Sequence, residues 1–592
     1  MGTAVHPGQG KITCPWCAAL RCAPFFFYCL TALLTSTFSG QAEWTPHLLT
    51  APLLLLLLVS IISLPLHKAL RITIQLLLGE AILLICLVEC YCIYEFDSVF
   101  TPRILSLILN TDAREAGEFF STYVGSKVFH SWSITIVILL IILLPLSYFF
   151  EQRLEKKLKS EKKKKSAAII VTAITLALAA YETPSAIRFA HLMNPHASQQ
   201  ENEMQMFKGA QKELTTPIHR LAYSWHVMRQ SEKTIAAIHQ SCREATIEDC
   251  SHLSPHIVLV IGESYNKHHS TLYGYELPTT PWQQQRSDKG ELFAFGDAVA
   301  PWNITNNVMM SILSLWDNSC ADEIGNYPML PALFRHAGYR VRFATNQFQL
   351  HGFRRGFSNK AGHFFLSDKI LSDSLFDYRN ERTTTYDMDL VNKLFNDEAI
   401  GTDSSLSLDI IHLIGQHFEY SKRYPVEKAR FTLADYAHRN LDAEAKTTVM
   451  HYDNATCYND LVMDSILKLY EGMEAIVIYL SDHGDEVWDD DSTHSRTFQK
   501  PGKTAARNEY EVPLWIWCSP SYRERHPDLV EQIRNAANRP LLTDDLPQTL
   551  LYLAGIKCRW NRDERNILSP SYKPKPRLID GDTDYDKLQH NR

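Results

Sequence analysis

Five apolar runs in the first third of the chain constrain its fold more than any other feature of the sequence. They cover residues 24–40, 49–66, 71–95, 132–150 and 167–182. Each is roughly as long as a helix must be to cross the ~30 Å hydrocarbon core of a bilayer. Buried core helices are the alternative, but the stretches 53–59 and 134–144 offer no polar face to water. The sequence therefore predicts five transmembrane helices.

Basic residues between these runs predict how the helices are oriented, because positively charged loops stay in the cytoplasm. A long basic run lies within 151–165, and a shorter basic turn lies at 67–71. A nucleic-acid-binding arm is the alternative for the longer run, but its position between two apolar spans favours a topology signal or a contact with anionic lipid. We therefore expect no nucleic-acid partner, a cytoplasmic N-terminus and an extracytoplasmic chain after about residue 183. The first run lacks a small-residue cleavage site, which favours a retained helix over a removed signal peptide.

The 592-residue chain exceeds a single hydrophobic core, and its patterns predict five parts. These are a cytoplasmic segment at 1–22, a transmembrane domain at 23–182, a bridging segment at 183–250 with a helix at 217–230, a catalytic α/β domain at 251–570 and a tail at 571–592. In the α/β domain we expect strands at 256–262, 340–345, 407–414, 475–481 and 512–518. Helix-like segments separate these strands, which predicts a mostly parallel sheet with helices on both faces.

Thirteen cysteines divide between the membrane half and the extracytoplasmic half of the chain. Six lie in the extracytoplasmic half, where disulfides are permitted, although the sequence does not fix their partners. We expect one bond, between Cys242 and Cys250. Cys14 and Cys17 have the spacing of half a zinc or redox motif, but no second pair follows at a suitable distance. We interpret that pair as incidental.

Two of the predicted strands end on side chains that can bind a metal. The first strand leads into Glu263, and the fourth leads into Asp482 and His483. Open α/β sheets place their sites at the carboxyl ends of strands, and a buried carboxylate needs a partner. Gly484 allows the backbone to bend so that Asp482 and His483 both face one cation. A helix cap or a salt bridge is the alternative for each carboxylate, but together they predict a site for zinc, or for manganese if more oxygen ligands join.

Three motifs occur together in the predicted α/β domain: Val260-Ile261-Gly262-Glu263-Ser264, Tyr273-Gly274-Tyr275 with Thr279-Thr280-Pro281, and Ser481-Asp482-His483-Gly484. Their combination resembles the membrane-anchored phosphoethanolamine transferases of the alkaline phosphatase and sulfatase superfamily. The resemblance implies a five-helix transmembrane domain followed by an alkaline-phosphatase-like α/β/α sandwich. It also implies one or two zinc ions and a monomeric, multi-pass protein of the bacterial inner membrane with its catalytic domain in the periplasm.

The same resemblance implies a reaction. Phosphoethanolamine would pass from phosphatidylethanolamine to a cell-envelope acceptor, such as lipopolysaccharide lipid A, a core sugar or another glycan, through a covalent phosphothreonine-type intermediate. Thr305 matches the family nucleophile and would bind the principal zinc together with Glu263, Asp482 and His483. Metal coordination suits such a nucleophile, because a free hydroxyl titrates far above neutral pH. An ordinary threonine at the start of a helix is the alternative.

Five further site residues follow from the resemblance. His417 and His494 match positions that hold the phosphoryl group or a second zinc, and they would neutralise developing charge and protonate the leaving oxygen. Asn346 resembles a substrate contact, with a plain turn asparagine as the alternative. Thr111 and Glu115 lie one helical turn apart and would face the head group of the lipid donor, although a solvated helix face is the alternative.

Rival interpretations of the nucleophile and of the function stay open. Ser264 is the rival nucleophile, but Asn266 stands where the nucleophile-elbow motif requires glycine. A lipoteichoic-acid-type phosphoglycerol transferase would share the architecture and use phosphatidylglycerol, and a non-catalytic membrane scaffold would have lost a metal ligand. Pro301 and Ser311 occupy positions where relatives that modify lipid A carry cysteines, which favours core sugars or other acceptors.

Overall fold

The structure is a computed structural model, and it divides into two compact units, Met1–Gln230 and Ser231–Arg592. It describes residues 23–24, 26–33, 50, 53–54, 68–96, 99–100, 104–105, 132–155, 164–193, 216–317, 319–320, 322–347, 366, 369–380, 382–398, 406–489, 496 and 501–590. The finer division into five parts remains a prediction. Cys14 and Cys17 lie outside the described residues.

Three long helices of the first unit cover the last three predicted spans. They are α1 (Lys68–Phe96), α2 (Trp132–Glu155) and α3 (Lys164–Leu192). Among the described residues, one helical segment, Thr73–Tyr94 of α1, is long and apolar enough to cross a membrane, and a shorter apolar segment lies in α2. About half of the first predicted span and most of the second fall outside the described residues. The predicted number of five membrane helices is therefore not confirmed.

Helices α1 and α2 pack against each other and leave apolar side chains on their outer faces. Leu83 of α1 and Val137 of α2 belong to the same buried cluster. On the outside, Leu77 is 63% exposed and Ile142 is 56% exposed. Long apolar helices that expose leucine and isoleucine have the surface expected of helices in contact with lipid.

The predicted disulfide between Cys242 and Cys250 is wrong, because both are free thiols. Cys242 lies on the buried side of α4 (Pro217–Glu244), where its Sγ accepts a hydrogen bond from the backbone N–H of Met329 at 3.2 Å. Cys250 lies instead in a short strand and contacts the Ala554 carbonyl at 3.6 Å. Nearness in sequence therefore did not bring the two sulfur atoms together. The helix predicted at 217–230 is confirmed and extends to Glu244.

The strands of the second unit are, in chain order, β1 (Asp249–Cys250), β2 (His256–Gly262), β3 (Leu292–Phe295), β4 (Ala298–Val299), β5 (Arg340–Thr345), β6 (Tyr378–Arg379), β7 (Ser407–His412), β8 (Ala475–Ser481), β9 (Leu514–Cys518), β10 (Leu541–Leu542), β11 (Ile556–Lys557), β12 (Leu578–Ile579) and β13 (Thr583–Asp584). Its helices after α4 are α5 (Pro281–Asp288), α6 (Thr305–Ile312), α7 (Leu330–His336), α8 (Lys369–Leu375), α9 (Asp387–Glu398), α10 (Ala443–Tyr470), α11 (Lys503–Tyr510), α12 (Pro520–Arg525), α13 (Pro527–Ala536), α14 (Leu546–Ala554) and α15 (Tyr585–His590).

A seven-stranded sheet with the order β3-β9-β8-β2-β7-β5-β6 forms the centre of this unit. Strand β2 lies in the middle and pairs in parallel with both β7 and β8. Strands β5 and β6 continue the parallel part, whereas β9 is antiparallel to β8 and to β3. The mostly parallel sheet is confirmed, and all five predicted strands are present. Strand β7 ends two residues earlier and β9 begins two residues later than predicted.

Both faces of the sheet are buried, as the continuous apolar strands predict. Successive residues of β2 point to opposite faces: Ile257 and Leu259 belong to one core cluster, and Val258 belongs to the other. The first cluster includes side chains from α7, α13 and α14. The second includes side chains from α9 and α10. The predicted α/β architecture with helices on both faces is therefore confirmed, and β2 and β8 end side by side at one edge.

Candidate active site

Glu263 directly follows β2 at the carboxyl edge of the sheet, and its side chain is fully buried. Gly262 is needed before it, because a Cβ at that position would collide with the Tyr479 hydroxyl of the neighbouring β8. Ser264 after it has a φ of 55°, in the left-handed region that few non-glycine residues adopt. The Ser264 N–H donates to Asp482 Oδ1 at 3.1 Å. The chain thus turns sharply at Glu263 and is tied to the second strand end.

Asp482 and His483 directly follow β8, the parallel neighbour of β2, and both are fully buried. The Asp482 N–H donates to the carbonyl of Gly262 at 3.1 Å, which holds the two strand ends together. Gly484 was expected to provide a backbone bend, but its φ is not in the left-handed region. Glycine is needed there because a Cβ would collide with the backbone carbonyl of Asn508.

Four predicted site residues meet at this edge. His483 Nε2 lies 3.3 Å from Glu263 Oε1 and 3.3 Å from Asp482 Oδ2. The Thr305 hydroxyl donates to Glu263 Oε2 at 3.0 Å, and its oxygen lies 3.4 Å from His483 Nε2. Among the described residues, one group of three histidine, cysteine, aspartate or glutamate side chains could hold a metal ion. It consists of Glu263, Asp482 and His483.

The charges and hydrogen bonds of this group fit a divalent cation. His483 Nδ1 lies 2.7 Å from the Gly484 carbonyl, which only accepts, so Nδ1 carries a proton and Nε2 faces the group. Asp482 Oδ2 is buried and accepts no hydrogen bond from the part of the chain that the structure describes. Burial, and then the charge of Glu263, raises the pKa of Asp482 to about 7. A bound cation would instead lower the pKa of Asp482. One imidazole with two carboxylates is a ligand set that zinc accepts.

Thr305 is the first residue of α6, as predicted for a threonine at the start of a helix. Val308, Met309 and Ile312 form the buried face of this helix and anchor it in the core. Thr305 lies one helical turn before Val308 and Met309, so it shares their face. The packing of α6 therefore carries the Thr305 hydroxyl to the ends of β2 and β8, beside Glu263.

His417 and Asn346 also lie beyond strand ends, after β7 and β5. Burial lowers the pKa of His417 to about 3, and the charge of Glu263 opposes this only in part. The Asn346 amide donates to Asp387 Oδ1 at 2.9 Å, and its carbonyl oxygen accepts from the Thr384 N–H at 2.7 Å. These contacts are those of a turn-stabilising asparagine, so its role as a substrate contact remains a prediction. His494, Thr111 and Glu115 lie outside the described residues.

Ser264, the rival nucleophile, is almost fully buried. Its hydroxyl donates to Glu263 Oε1 at 2.7 Å. Thr305 donates to the other oxygen of the same carboxylate, at 3.0 Å. Thr305 is partly exposed, so this geometry favours Thr305 as the group that meets a substrate and Ser264 as a support for Glu263.

Two residues at this site were missed by the sequence analysis. Gln347 Nε2 donates to Glu263 Oε2 at 2.7 Å and to the Leu413 carbonyl at 2.8 Å. Arg496 Nη1 donates to the Asn303 carbonyl at 3.2 Å and lies 2.9 Å from His483 Nε2. The end of β5 could have indicated Gln347, because it adjoins the predicted Asn346. No comparable signal points to Arg496.

The motif Tyr273-Gly274-Tyr275 with Thr279-Thr280-Pro281 supports the fold near the site. The Thr279 hydroxyl donates to the backbone carbonyl of His269 at 2.7 Å, and the Tyr275 hydroxyl donates to Asp453 at 2.8 Å. The His269 ring lies between two carboxylates, 2.6 Å from Asp453 and 3.0 Å from Asp489. The motif therefore connects α10 with the segment that follows His483.

Known proteins resemble this chain in sequence. The sequence profile of the family described as Sulfatase matches residues 255–556, just over half of the chain. Phosphoethanolamine transferase EptC of Escherichia coli strain K12 is 28% identical over 334 residues, which are 55% of this chain and 55% of the relative. Phosphoethanolamine transferase CptA of Salmonella typhimurium strain LT2 is 26% identical over 352 residues, 57% of each chain. The chain thus matches these curated relatives over about half of their length.

Solved structures resemble the chain as well. The C-terminal periplasmic domain of EptC from Escherichia coli in complex with Zn is 26% identical, with a TM-score of 0.50 over 59% of this chain and 96% of that one. The integral membrane protein lipooligosaccharide phosphoethanolamine transferase A (EptA) from Neisseria meningitidis is 18% identical, with a TM-score of 0.59 over 93% and 98%. The second likeness supports the fold alone. Because the family profile spans all seven strands of the central sheet and more than half of the chain, the chain belongs to the sulfatase family.

Proposed function

We propose that this protein is a zinc-dependent phosphoethanolamine transferase. It takes phosphoethanolamine from phosphatidylethanolamine and passes it to a cell-envelope acceptor, such as lipid A, a core sugar or another glycan. The observation that carries the proposal is the meeting of Thr305 with Glu263, Asp482 and His483 at the ends of two neighbouring parallel strands. The names of the relatives EptC and CptA, and the Zn complex of the EptC domain, support it.

Glu263, Asp482, His483 and Thr305 would hold the principal zinc ion. When bound, zinc would supply positive charge that stabilises a deprotonated Thr305 hydroxyl and the negative charge of the phosphoryl group. The Thr305 hydroxyl already donates to Glu263, so its proton has an acceptor at 3.0 Å. A second ion would need ligands beyond this set, for which His417 and His494 are the proposed residues.

The proposed reaction has two displacement steps. In the first, Thr305 Oγ forms a bond to the donor phosphorus while the bond from phosphorus to the diacylglycerol oxygen breaks. The threonine proton leaves toward Glu263 Oε2, and the diacylglycerol oxygen takes a proton from His494 while His417 donates a hydrogen bond. In the second, an acceptor hydroxyl attacks the same phosphorus and loses its proton to His494, and the bond to Thr305 Oγ breaks as Glu263 returns the proton to that oxygen. The products of the two steps together are diacylglycerol and an acceptor that carries phosphoethanolamine.

The state of His417 limits what it can do in this scheme. Burial lowers its pKa to about 3, so its imidazole is neutral near pH 7. A neutral imidazole can donate an N–H to a phosphoryl or leaving oxygen, but it carries no positive charge. Charge for the phosphoryl group therefore has to come from the metal or from another side chain.

A lipid donor places the proposed enzyme in a membrane. We propose a monomeric, multi-pass protein of the bacterial inner membrane, with residues 23–182 in the bilayer and the catalytic domain at 251–570 in the periplasm. The exposed apolar faces of α1 and α2 support this location. Thr111 and Glu115 would contact the donor head group, and Asn346 would contact substrate.

Turnover measurements on the full chain, depleted of zinc and then restored, test this function. Vesicles of phosphatidylethanolamine and vesicles of phosphatidylglycerol would be offered separately, with release of diacylglycerol as the signal. The proposal expects zinc-dependent release from phosphatidylethanolamine. Release from phosphatidylglycerol alone would favour a phosphoglycerol transferase, and no release after zinc is restored would favour a non-catalytic scaffold.

A further inference from the structure

Arg496 brings a positive charge to the Thr305 site that the scheme above does not use. Its Nη1 lies 2.9 Å from His483 Nε2, and the same nitrogen of His483 lies 3.4 Å from the Thr305 hydroxyl oxygen. Nη1 also donates to the carbonyl of Asn303 at 3.2 Å, two residues before Thr305 in the chain. The guanidinium is therefore held next to the nucleophile by the backbone of the segment that precedes it.

The guanidinium of Arg496 carries a positive charge, because an arginine side chain is not deprotonated in proteins. Arg496 nevertheless forms no direct ion pair with a carboxylate within the described ranges. Within the described residues, its fork of five N–H groups is thus only partly used, chiefly by the Asn303 carbonyl.

A phosphodiester meets an unfavourable field at this site unless cations are present. Its negative charge would approach several buried carboxylates, where electrostatic repulsion is stronger than in water. Arg496 supplies a positive charge at this site, and its planar fork matches the geometry of two phosphoryl oxygens.

We propose that Arg496 is a catalytic residue that donates hydrogen bonds to the non-bridging oxygens of the phosphodiester while Thr305 attacks its phosphorus. This inference rests on the proposed transferase function and adds a specific residue to it. The ligand class is a phosphodiester monoanion in the first step and the phosphothreonine diester in the second. A purely structural arginine would tie Asn303 to the site and would make no difference to charge stabilisation at the phosphorus.

The test uses the full chain in detergent micelles that contain phosphatidylethanolamine. Arg496→Ala, Arg496→Lys and the matched control Arg507→Ala would be compared with the wild type for zinc content and for the rate at which the Thr305 peptide gains phosphoethanolamine. Arg507 is an exposed arginine whose side chain contacts His268 and Asn508, away from Thr305. Guanidinium chloride, below the concentration that unfolds the wild type, would be added to each variant.

For Arg496→Ala we expect normal zinc content and a rate lower by about 100-fold, the size of effect seen when one transition-state donor is removed. Arg496→Lys should keep the charge and lose the fork, with a loss of about 10-fold. Added guanidinium should restore part of the rate of Arg496→Ala and have no such effect on Arg507→Ala.

Three results would overturn the inference. The first is a rate for Arg496→Ala within about twofold of the wild type, a much smaller loss than removal of a donor should cause. The second is a loss of rate that is explained by a loss of bound zinc. The third is that added guanidinium does not raise the rate of Arg496→Ala. The proposed function fails separately, because a zinc-loaded wild type that forms no adduct would contradict it before any variant is compared.

Discussion

The Thr305 hydroxyl donates a hydrogen bond to Glu263 Oε2 at 3.0 Å, although the two residues are 42 positions apart in the chain. Glu263 directly follows the central strand β2, and Thr305 begins helix α6. Packing of α6 into the core and burial of Glu263 fix this contact from two directions. The contact places the proposed nucleophile beside a candidate metal ligand, although the two residues are far apart in sequence.

Replacement of Glu263 by glutamine should weaken zinc binding while keeping the side chain's size. We expect a loss of at least about 100-fold in affinity, because removal of an outer partner alone costs 10- to 100-fold and Glu263 is a proposed ligand. Competition with a chromophoric chelator measures it. Ser264→Ala, which removes a donor to the same carboxylate, is the control and should lose less. Unchanged affinity in Glu263→Gln would remove Glu263 from the ligand set.

Gln347 should act as a positioning residue for Glu263. Its amide holds Glu263 Oε2 and the Leu413 carbonyl, so Gln347→Leu removes one of the hydrogen bonds that fix the orientation of the carboxylate. We expect zinc affinity to fall by about 10- to 100-fold with the thermal midpoint nearly unchanged. Gln240→Leu changes an exposed glutamine whose amide contacts Glu244, and it should bind zinc like the wild type. Equal affinities for the two variants would contradict this role.

A methyl group at position 484 should disturb the metal site through the backbone. The Cβ of Gly484→Ala would collide with the Asn508 carbonyl, so the segment after Asp482 and His483 must shift. We expect a loss of about 1–3 kcal/mol in the free energy of unfolding, together with weaker zinc binding. Gly472→Ala, whose Cβ meets open space, is the matched control. Equal thermal midpoints for the two variants would show that the collision is relieved at no cost.

The buried His269 predicts a loss of stability at alkaline pH. Burial opposes its charge, but Asp489 and Asp453 outweigh burial and raise its pKa to about 10, against about 6.5 in an unfolded chain. Because the folded pKa is the higher one, the stabilisation is complete below about pH 6.5 and is lost as the pH rises toward about 10. Thermal midpoints across that range should fall more steeply for the wild type than for His269→Gln. Parallel pH profiles would contradict the charged state.

The sheet and the metal ligands could be predicted because both depend on continuous apolar strands. The bounds of β2, β5 and β8 match the prediction, and Glu263 and Asp482 follow such strands directly. Strands β3 and β6 were missed, since four and two residues are too short for a periodic signal. Both occupy edges of the sheet, where tertiary pairing decides the structure.

The rest of the site depends on contacts that local sequence does not encode. Asn346 and Gln347 are adjacent polar residues after β5, and only the fold decides that Gln347 reaches Glu263. Arg496 reaches His483 across a tertiary contact. Cys242 and Cys250 are close in the chain, yet a helix and a strand carry them to different partners.

Peptide mass spectrometry tests the central claim most directly. The zinc-loaded full chain would be isolated from membranes that contain phosphatidylethanolamine and phosphatidylglycerol, and the peptides that hold Thr305 and Ser264 would be examined for a phosphodiester adduct. The account predicts phosphoethanolamine on Thr305 and none after Thr305→Ala. Phosphoethanolamine on Ser264 with Thr305 unmodified would contradict it.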